Sequence, residues 1–332
     1  MQNKTLIIFG SRPEYIKVQP LFDKLKADTL HIGQHVDIMT FKKSTYFIPI
    51  EAPKNDYDRL NSIISQIAQK TPEIINQYDS ILVQGDTATV FGAALTAFQL
   101  GKKVIHLEAG LRTYDLQSPY PEEGYRQMVS RITDIHLCPT NFGKFVLEQE
   151  RVSGEIHVVG NTVLDNLIDV ESFYGNKVLV TIHRNENRDK INEILAEIDQ
   201  VAEQHPEIEF IFPVHPNPII KNAALKLKFV KARRAMEHKD LIDLLRQCKF
   251  VITDSGGIAE EASFLNKKVL VIRDKTERDE GVLSGHFQLC KVDEIIKNAN
   301  YLLERNNFEI KTASPFGDGR SADRIKKILE NE

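Results

Sequence analysis

Two doubly wound parallel α/β domains facing a cleft, one in each half of the 332-residue chain, form the architecture that this sequence predicts. Three observations carry the prediction. Short apolar strand-like runs alternate with helical patterns through both halves, the signature of parallel sheets covered by helices. The apolar periodicity lapses around Glu171 to Asn176 and restarts at Lys177, which sets a domain boundary there. Polar clusters fall at the carboxyl end of nearly every predicted strand, where ligands collect in open parallel sheets. A cleft between two such domains would gather those clusters into one site.

Composition narrows the function classes. The chain has 43 Lys and Arg against 47 Asp and Glu, a formal net charge of −4, and 42% hydrophobic residues. That is the makeup of an ordinary globular protein with enough chain for two cores. It gives no electrostatic reason to expect nucleic acid or an anionic membrane as partner. No apolar run is long enough to span a bilayer. Met1 to Lys4, followed by Thr5 to Gly10, reads as a first strand rather than a signal peptide. Cys138, Cys248 and Cys290 are far apart and set in apolar runs, so they are expected to be buried thiols of a cytosolic protein.

In the first half, Leu6 to Phe9 forms a buried strand closed by Gly10. Ser11 is a candidate cap for a helix through about Leu25, with Pro13 in its first turn. Arg12 then sits at the strand's exit with Lys17 about one turn on, a fair anion clamp. From His31 to Asp58 no clear period emerges; Gly33-Gln34-His35 reads as a loop, and Pro49 and Pro53 interrupt the rest. Leu60, Ile63, Ile64, Ile67 and Ala68 recur at helical spacing up to Pro72. Ser80 to Gln84 is a strand closed by Gly85-Asp86-Thr87, with a helix from about Ala88 to Leu100. Lys103 to Glu108 is another strand, whose exit carries Glu108 and Arg112. A loop with Pro119 and Pro121 leads through Glu122 and Glu123 into a helix bearing Arg126. Strands follow at 135–140 and 156–160, and His106, His136 and His157 are expected as strand residues satisfied in or near the core.

The second half repeats the pattern. Lys177 to Thr181 is a strand ending at Ile182-His183-Arg184, followed by a helix over 191–204. Glu209 to Pro213 leaves Val214-His215-Pro216-Asn217 at its end. A helix near 241–247 precedes the strand Phe250 to Thr253, and the turn Asp254 to Gly257 opens another helix. Ser255, Gly256 and Gly257 leave the first helical N–H groups open to an anion such as a phosphate. Glu260 and Glu261 lie about one turn further, suited to a hydroxyl on the same ligand. Val269 to Ile272 is a last strand with Arg273 at its exit, and Ser321 to Glu332 is helical, with Ile325, Ile328 and Leu329 as its apolar face.

Cations and helix amides at strand exits can neutralise a diphosphate, and Asp86, Glu108, Glu122 and Glu123 offer carboxylates for acid–base work. A P-loop, a Gly-x-Gly-x-x-Gly turn after the first strand and a nucleophile elbow are all missing from the sequence. That argues against a nucleotide triphosphatase, a nicotinamide dehydrogenase and a serine hydrolase. Metal-ligand spacing is missing as well, so neither a catalytic metal nor a cofactor is expected. The inventory suits a nucleotide-sugar enzyme that moves a proton.

A set of ordered motifs makes this specific. Gly10 to Glu14 with Lys17, Gly85-Asp86-Thr87, His106 to Arg112, Pro121-Glu122-Glu123 with Arg126, His183-Arg184, Pro213 to His215, Thr253 to Glu261, and Arg273-Asp274 with Thr276-Glu277-Arg278 occur in that order. Together they resemble the bacterial non-hydrolysing UDP-N-acetylglucosamine 2-epimerases, from residue 6 to about 282. The resemblance implies a glycosyltransferase-B-like pair of Rossmann-like domains, 1–170 and 171–312, with a helix in 313–332 returning to the first. It implies a cytoplasmic homodimer without cofactor that interconverts UDP-GlcNAc and UDP-ManNAc for surface polysaccharide. Its route is elimination of UDP to 2-acetamidoglucal and re-addition. Asp86, Glu108 and Glu122 match the family's catalytic carboxylates and His183 its catalytic histidine. Arg12, His183 and Ser255 to Gly257 match the diphosphate positions, Glu261 the ribose position and Lys17 a further active-site position. Arg112, Arg126, His215 and Arg273 complete the expected substrate-binding set.

The chain also departs from the family pattern. Ile182 stands where Gly is usual, Asn185 where Arg is frequent, and Tyr125 where Asn is usual; Val36-Asp37 follow Gln34-His35 where other polar residues are expected. His215 and Glu123 keep the residue types of a second, regulatory UDP-GlcNAc site known in the family, whereas Asn185 and Asp37 do not. Several outcomes stay open at this level: epimerisation, hydrolysis releasing ManNAc and UDP, action on another UDP-amino sugar, or a retaining glycosyltransferase of the same architecture. Which carboxylate serves which face of the sugar stays open too.

Overall fold

The computed structural model describes residues 4–33, 44–51 and 58–330. The chain divides into two compact units, Met1–Asn166 with Gly317–Glu332, and Leu167–Phe316.

The N-terminal unit is built on seven parallel strands: β1 (Thr5–Phe9), β2 (Asp28–Gly33), β3 (Tyr46–Pro49), β4 (Ser80–Gln84), β5 (Lys103–Leu107), β6 (Ile135–Cys138) and β7 (Glu155–Val158). Helices α1 (Arg12–Leu25), α2 (Arg59–Lys70), α3 (Pro72–Ile75), α4 (Ala88–Gln99), α5 (Glu122–Ser130) and α6 (Asn141–Gln149) connect them. Strand β1 shows why both faces must be covered. Leu6 and Ile8 point into a cluster with Ile63 and Ile67 of α2 and Val90 of α4. Ile7 and Phe9 point the other way, onto Val18 and Leu21 of α1. With a side-chain period of two, a continuous apolar run is what a doubly covered strand requires. Hydroxyl caps start the helices at the strand exits. Ser11 accepts from Glu14 N, Thr87 from Val90 N and Thr140 from Gly143 N.

The C-terminal unit carries six parallel strands, β8 (Lys177–Thr181), β9 (Glu209–Pro213), β10 (Lys231–Arg233), β11 (Cys248–Thr253), β12 (Lys268–Val271) and β13 (Phe287–Leu289). Its helices are α7 (Ile191–Gln204), α8 (Pro218–Ala224), α9 (His238–Leu245), α10 (Gly256–Phe264), α11 (Asp279–Leu283) and α12 (Ile295–Leu303). The last helix, α13 (Ser321–Glu330), belongs to the N-terminal unit, where Ala322 and Ile325 join the α1 cluster with Ile328 and Leu329 at its margin.

Strand order places the functional ends. It runs β3-β2-β1-β4-β5-β6-β7 in one sheet and β10-β9-β8-β11-β12-β13 in the other. Each order reverses once, between β1 and β4 and between β8 and β11. Connections leave in opposite directions at such switch points and open a crevice at the carboxyl ends of the strands.

Four strands escape the sequence reading. Strand β2 has Asp28, Thr29 and His31 among its apolar residues, β3 is four residues long, and β10 is wholly exposed at a sheet edge. Strand β13 has three residues, of which Gln288 is one. Gly33 ends β2 and pairs with Pro49, so pairing continues where a loop is expected. Gln34, His35, Val36, Asp37 and Pro53 lie outside the described residues. The three cysteines are free thiols and buried.

The exit of β5 depends on a close backbone approach. Gly110 has φ +90, and a Cβ there would lie 2.3 Å from Gly143 O. Gly110→Ala should destabilise the protein by roughly 2–3 kcal/mol through combined strain and overlap. Urea unfolding against wild type measures it.

Candidate active site

In the N-terminal unit the first switch point carries the turn Gly10-Ser11-Arg12 after β1 and the turn Gly85-Asp86-Thr87 after β4. Arg12 is the first residue of α1. Asp86 Oδ2 accepts from Arg126 Nη2 of α5 at 2.5 Å, and the Asp86 side chain keeps 25% of its exposure while Arg126 keeps 5%. Arg126 also lies 3.3 Å from Glu123. The guanidinium therefore fixes the rotamer of Asp86 and leaves the carboxylate accessible.

Glu108 follows β5, the neighbour of β4, in the left-handed region at φ +67. Few non-glycine residues adopt that backbone, and those that do concentrate at functional sites. The amides of Glu108 and Ala109 both donate to Leu137 O, which holds the kink. Lys17 Nζ contacts the two Glu108 oxygens at 2.7 and 2.6 Å, and Gln84 Nε2 donates to one of them. Lys17 thus clamps a second carboxylate. The recess beside it is lined by Asn161 and Thr162, and the Thr162 hydroxyl is buried without a hydrogen-bond partner among the described residues. Glu122 opens α5 and Glu123 is wholly buried. The Glu123 carboxylate accepts from Thr113 N, Tyr114 N and Gln127 Nε2, so it clamps the loop ahead of α5.

One strongly perturbed carboxyl of this unit belongs to a motif but was passed over in the sequence argument. Glu14 is 2% exposed and accepts from Gly10 N at 2.7 Å and Ser11 Oγ at 2.8 Å. Burial pushes its pKa up to about 7 against those hydrogen bonds, and nearby Asp86 pushes the same way. His106 is buried with Nε2 2.7 Å from Gly85 O, and desolvation takes its pKa down to about 4. His136 is buried with Nε2 2.9 Å from Ser153 O. His157 differs from expectation. It lies on edge strand β7 with its side chain 32% exposed and paired with Glu155.

In the C-terminal unit the second switch point brings the turn after β8 against the turn after β11. Asp254 is fully buried and accepts from His183 N, Arg184 N and Asn187 Nδ2 at 2.9–3.1 Å. His183 Nδ1 lies 3.5 Å from the same carboxylate, and its ring stacks 5.6 Å from that of His215. Burial lowers the His183 pKa below its ordinary value, outweighing the pull of Asp254. Burial thus disfavours the imidazolium form of His183. Desolvation lowers His215 as well, with His183 adding to it.

Ser255 precedes α10 with extended backbone, and its side chain makes no cap hydrogen bond. Its own amide donates to Thr253 Oγ1. With no side-chain cap, the amides of Gly256 and Gly257 are the ones left for an anion. Arg278 packs beneath Gly256, where a Cβ would come within 2.5 Å of its guanidinium. Glu260 accepts from Arg278 Nε at 2.6 Å, and Glu261 Oε1 is 2.6 Å from His238 Nε2.

Two arginines expected at the substrate are engaged within the fold. Arg112 forms a two-pronged pair with Glu150 at 2.8 and 2.9 Å, donates to Leu111 O and Ser130 Oγ, and keeps 1% side-chain exposure. Arg273 keeps 2% and bridges Glu186 and Glu277 at 2.9 and 2.8 Å. Buried guanidinium groups need partners of this kind, and both of these have them within their own unit. Among the described residues no group of three or more His, Cys, Asp or Glu is placed to hold a metal ion, and no helix is long and apolar enough to cross a membrane.

The Glu14 shift gives a stability prediction. An acid whose folded pKa exceeds its unfolded value binds more protons folded than unfolded between about 4.5 and 7. Stability therefore falls as pH rises through that window, by on the order of 3 kcal/mol for this shift. Glu14→Gln escapes the fall, so its Tm relative to wild type should be higher at pH 8 than at pH 5; thermal scans at both values check this.

Comparison with known proteins follows the same lines. The family model described as UDP-N-acetylglucosamine 2-epimerase matches residues 22–330. The UDP-N-acetylglucosamine 2-epimerase of Salmonella borreze is 35% identical, over 99% of this chain and 97% of that protein. The crystal structure of the Neisseria meningitidis UDP-GlcNAc 2-epimerase bound to UDP-GlcNAc superposes with a TM-score of 0.90 at 30% identity, covering 99% of this chain and 100% of that one. MurG of Acinetobacter baumannii shares only the glycosyltransferase-B-like fold, with a TM-score of 0.58 and 8% identity over 99% of this chain and 100% of that one. Motif order, both sheet topologies and full-length similarity agree, and the chain belongs to the UDP-N-acetylglucosamine 2-epimerase family.

Proposed function

We propose that this protein interconverts UDP-GlcNAc and UDP-ManNAc by eliminating and re-adding UDP. One observation carries the reading: each sheet's switch point holds one half of the required chemistry. Clamped carboxylates, Asp86 on Arg126 and Glu108 on Lys17, stand at strand exits of the N-terminal unit. An uncapped helix start with Glu261 one turn on stands at the β8–β11 switch point of the C-terminal unit.

The C2 proton of the sugar is not acidic, so its removal has to be coupled to departure of the leaving group at C1. A carboxylate among Asp86, Glu108 and Glu122 takes that proton while the C1–O bond breaks, and the electron pair of the C–H bond becomes the C1–C2 double bond of 2-acetamidoglucal. UDP departs with that C–O bonding pair. The Ser255 hydroxyl and the helix-terminal amides of Gly256 and Gly257, with Arg12 and His183, stabilise the negative charge that develops on it. Re-addition of UDP at C1 and return of a proton to the opposite face of C2 complete the exchange. Glu261 holds the ribose, so UDP stays bound while the sugar is detached. The reading includes a cytosolic homodimer, which light scattering of the purified chain tests.

Incubation with UDP-GlcNAc in D2O should place deuterium at C2 of the recovered UDP-sugar. Accumulation of free ManNAc would mean hydrolysis and overturn the reading, as would an unchanged substrate. Asp86→Asn should cut turnover by about a thousandfold or more, in the range of a lost acid–base group. Its Kd for UDP should stay within about twofold of wild type by calorimetry, since the nucleotide handle is untouched. Undiminished turnover would refute the role given to Asp86.

A further inference from the structure

The two carboxylates of α10 are neighbours in sequence and project about 100° apart around the helix. Their surroundings separate them. Glu260 has no exposure and is held by Arg278 Nε at 2.6 Å, inside a buried cluster with Glu277. Glu261 keeps 4% side-chain exposure, and its Oε1 is 2.6 Å from Nε2 of His238, whose side chain is 25% exposed. Among the described residues no other group donates to the Glu261 carboxylate. A carboxylate accepts, so the His238 Nε2 atom is the donor, in a short charge-assisted hydrogen bond.

His238 is the first residue of α9, so the backbone that aims its ring is set by a helix of eight residues. Glu261 lies four to five residues beyond the open amides of Gly256 and Gly257, roughly 6–8 Å along the helix axis. That spacing matches the step from a diphosphate to the ribose next to it. A carboxylate held by one oxygen from one side keeps its plane fixed and its other oxygen directed. Two vicinal hydroxyls need that fixed direction to donate together.

We infer that His238 is a positioning residue of the nucleotide handle, gripping Glu261 Oε1 so that the carboxylate receives the ribose hydroxyls of a nucleoside diphosphate. The inference rests on the reading of Glu261 as the ribose ligand. It makes His238 a determinant of ribose over deoxyribose, without contact to the reacting atoms.

Calorimetric titration of UDP and 2′-deoxy-UDP into wild type, His238→Phe and His238→Gln tests it. Wild type should prefer UDP by about tenfold, the worth of a hydrogen bond to a charged group. The Phe variant keeps a flat ring but no donor. Its preference should fall to about twofold or less, with 2′-deoxy-UDP affinity within about threefold of wild type. The Gln variant, whose Nε2 still donates, should regain most of the preference. Equal weakening of both nucleotides in the Phe variant would mean a merely structural role and overturn the inference, as would an unchanged preference. A wild type that binds UDP without favouring it over the deoxy form overturns it as well. A wild type that binds neither nucleotide overturns the epimerase reading itself, which separates the two failures.

Discussion

The buried carboxylate of Asp254 is the constraint on which the C-terminal site depends. Removing a carboxylate from water costs several kcal/mol unless donors replace the solvent. Here two backbone amides and the Asn187 side chain do so, and Asn187 is itself tied to Ile272 O. Because β8 and β11 are neighbours, a carboxylate at the exit of one strand grips the turn at the exit of the other. The backbone of His183 is thereby fixed before its ring makes any contact. A turn held only by its own residues would wander, and the imidazole with it.

Glu14 meets the matching problem in the N-terminal unit with Gly10, Ser11 and Thr87 as hydrogen-bond partners. It holds Gly10 N and Ser11 Oγ at the exit of β1, and Asp86 lies close enough to raise its pKa. Burial wins there, and the acid titrates near 7. Thus both switch points are braced by a buried acid that backbone and side-chain donors hold in place. Bracing of this kind makes it possible for accessible groups such as Asp86 to sit on short turns and still be well placed.

Much of the architecture was legible in the sequence because doubly covered strands must be continuously apolar. Leu6 to Phe9, Ile81 to Val83, Val178 to Val180 and Phe250 to Ile252 have exposures of 0–1% and announce themselves. Strands β2 and β10 do not, since an edge or near-edge position tolerates Asp28, His31, Lys231 and Arg233. In the site, the residue types at the strand exits were readable, but their allegiance was not. Arg112 finds its partner 38 residues away and Arg273 finds one 87 residues away. A charge at a strand exit looks the same in sequence whether it faces a ligand or closes a buried ion pair. Asp254, Glu14 and His238 were missed for a related reason: their importance lies in what they hold. The first two were visible as members of motifs, whereas His238 gave no local signal beyond opening a helix.

The turn before α10 shows how little freedom such a site has. Gly256 and Gly257 look interchangeable in the sequence, as paired glycines that free a helix start. Their surroundings differ. A Cβ on Gly257 would meet nothing within 4 Å, while one on Gly256 would overlap the Arg278 guanidinium. A side chain at 256 would therefore have to push the Arg278 guanidinium off its two acids. Arg278 in turn holds Glu260 and Glu277, so it arrives at the helix start already neutralised by the two acids. A guanidinium in that state braces the turn and adds little net charge to it. In the proposed site, this unit's contribution to holding a diphosphate then comes mainly from aligned amides, whose strength depends on geometry that the buried ion pairs keep rigid. The buried charges of this unit would serve the proposed anion site by fixing dipoles, and only in small part by supplying charge themselves.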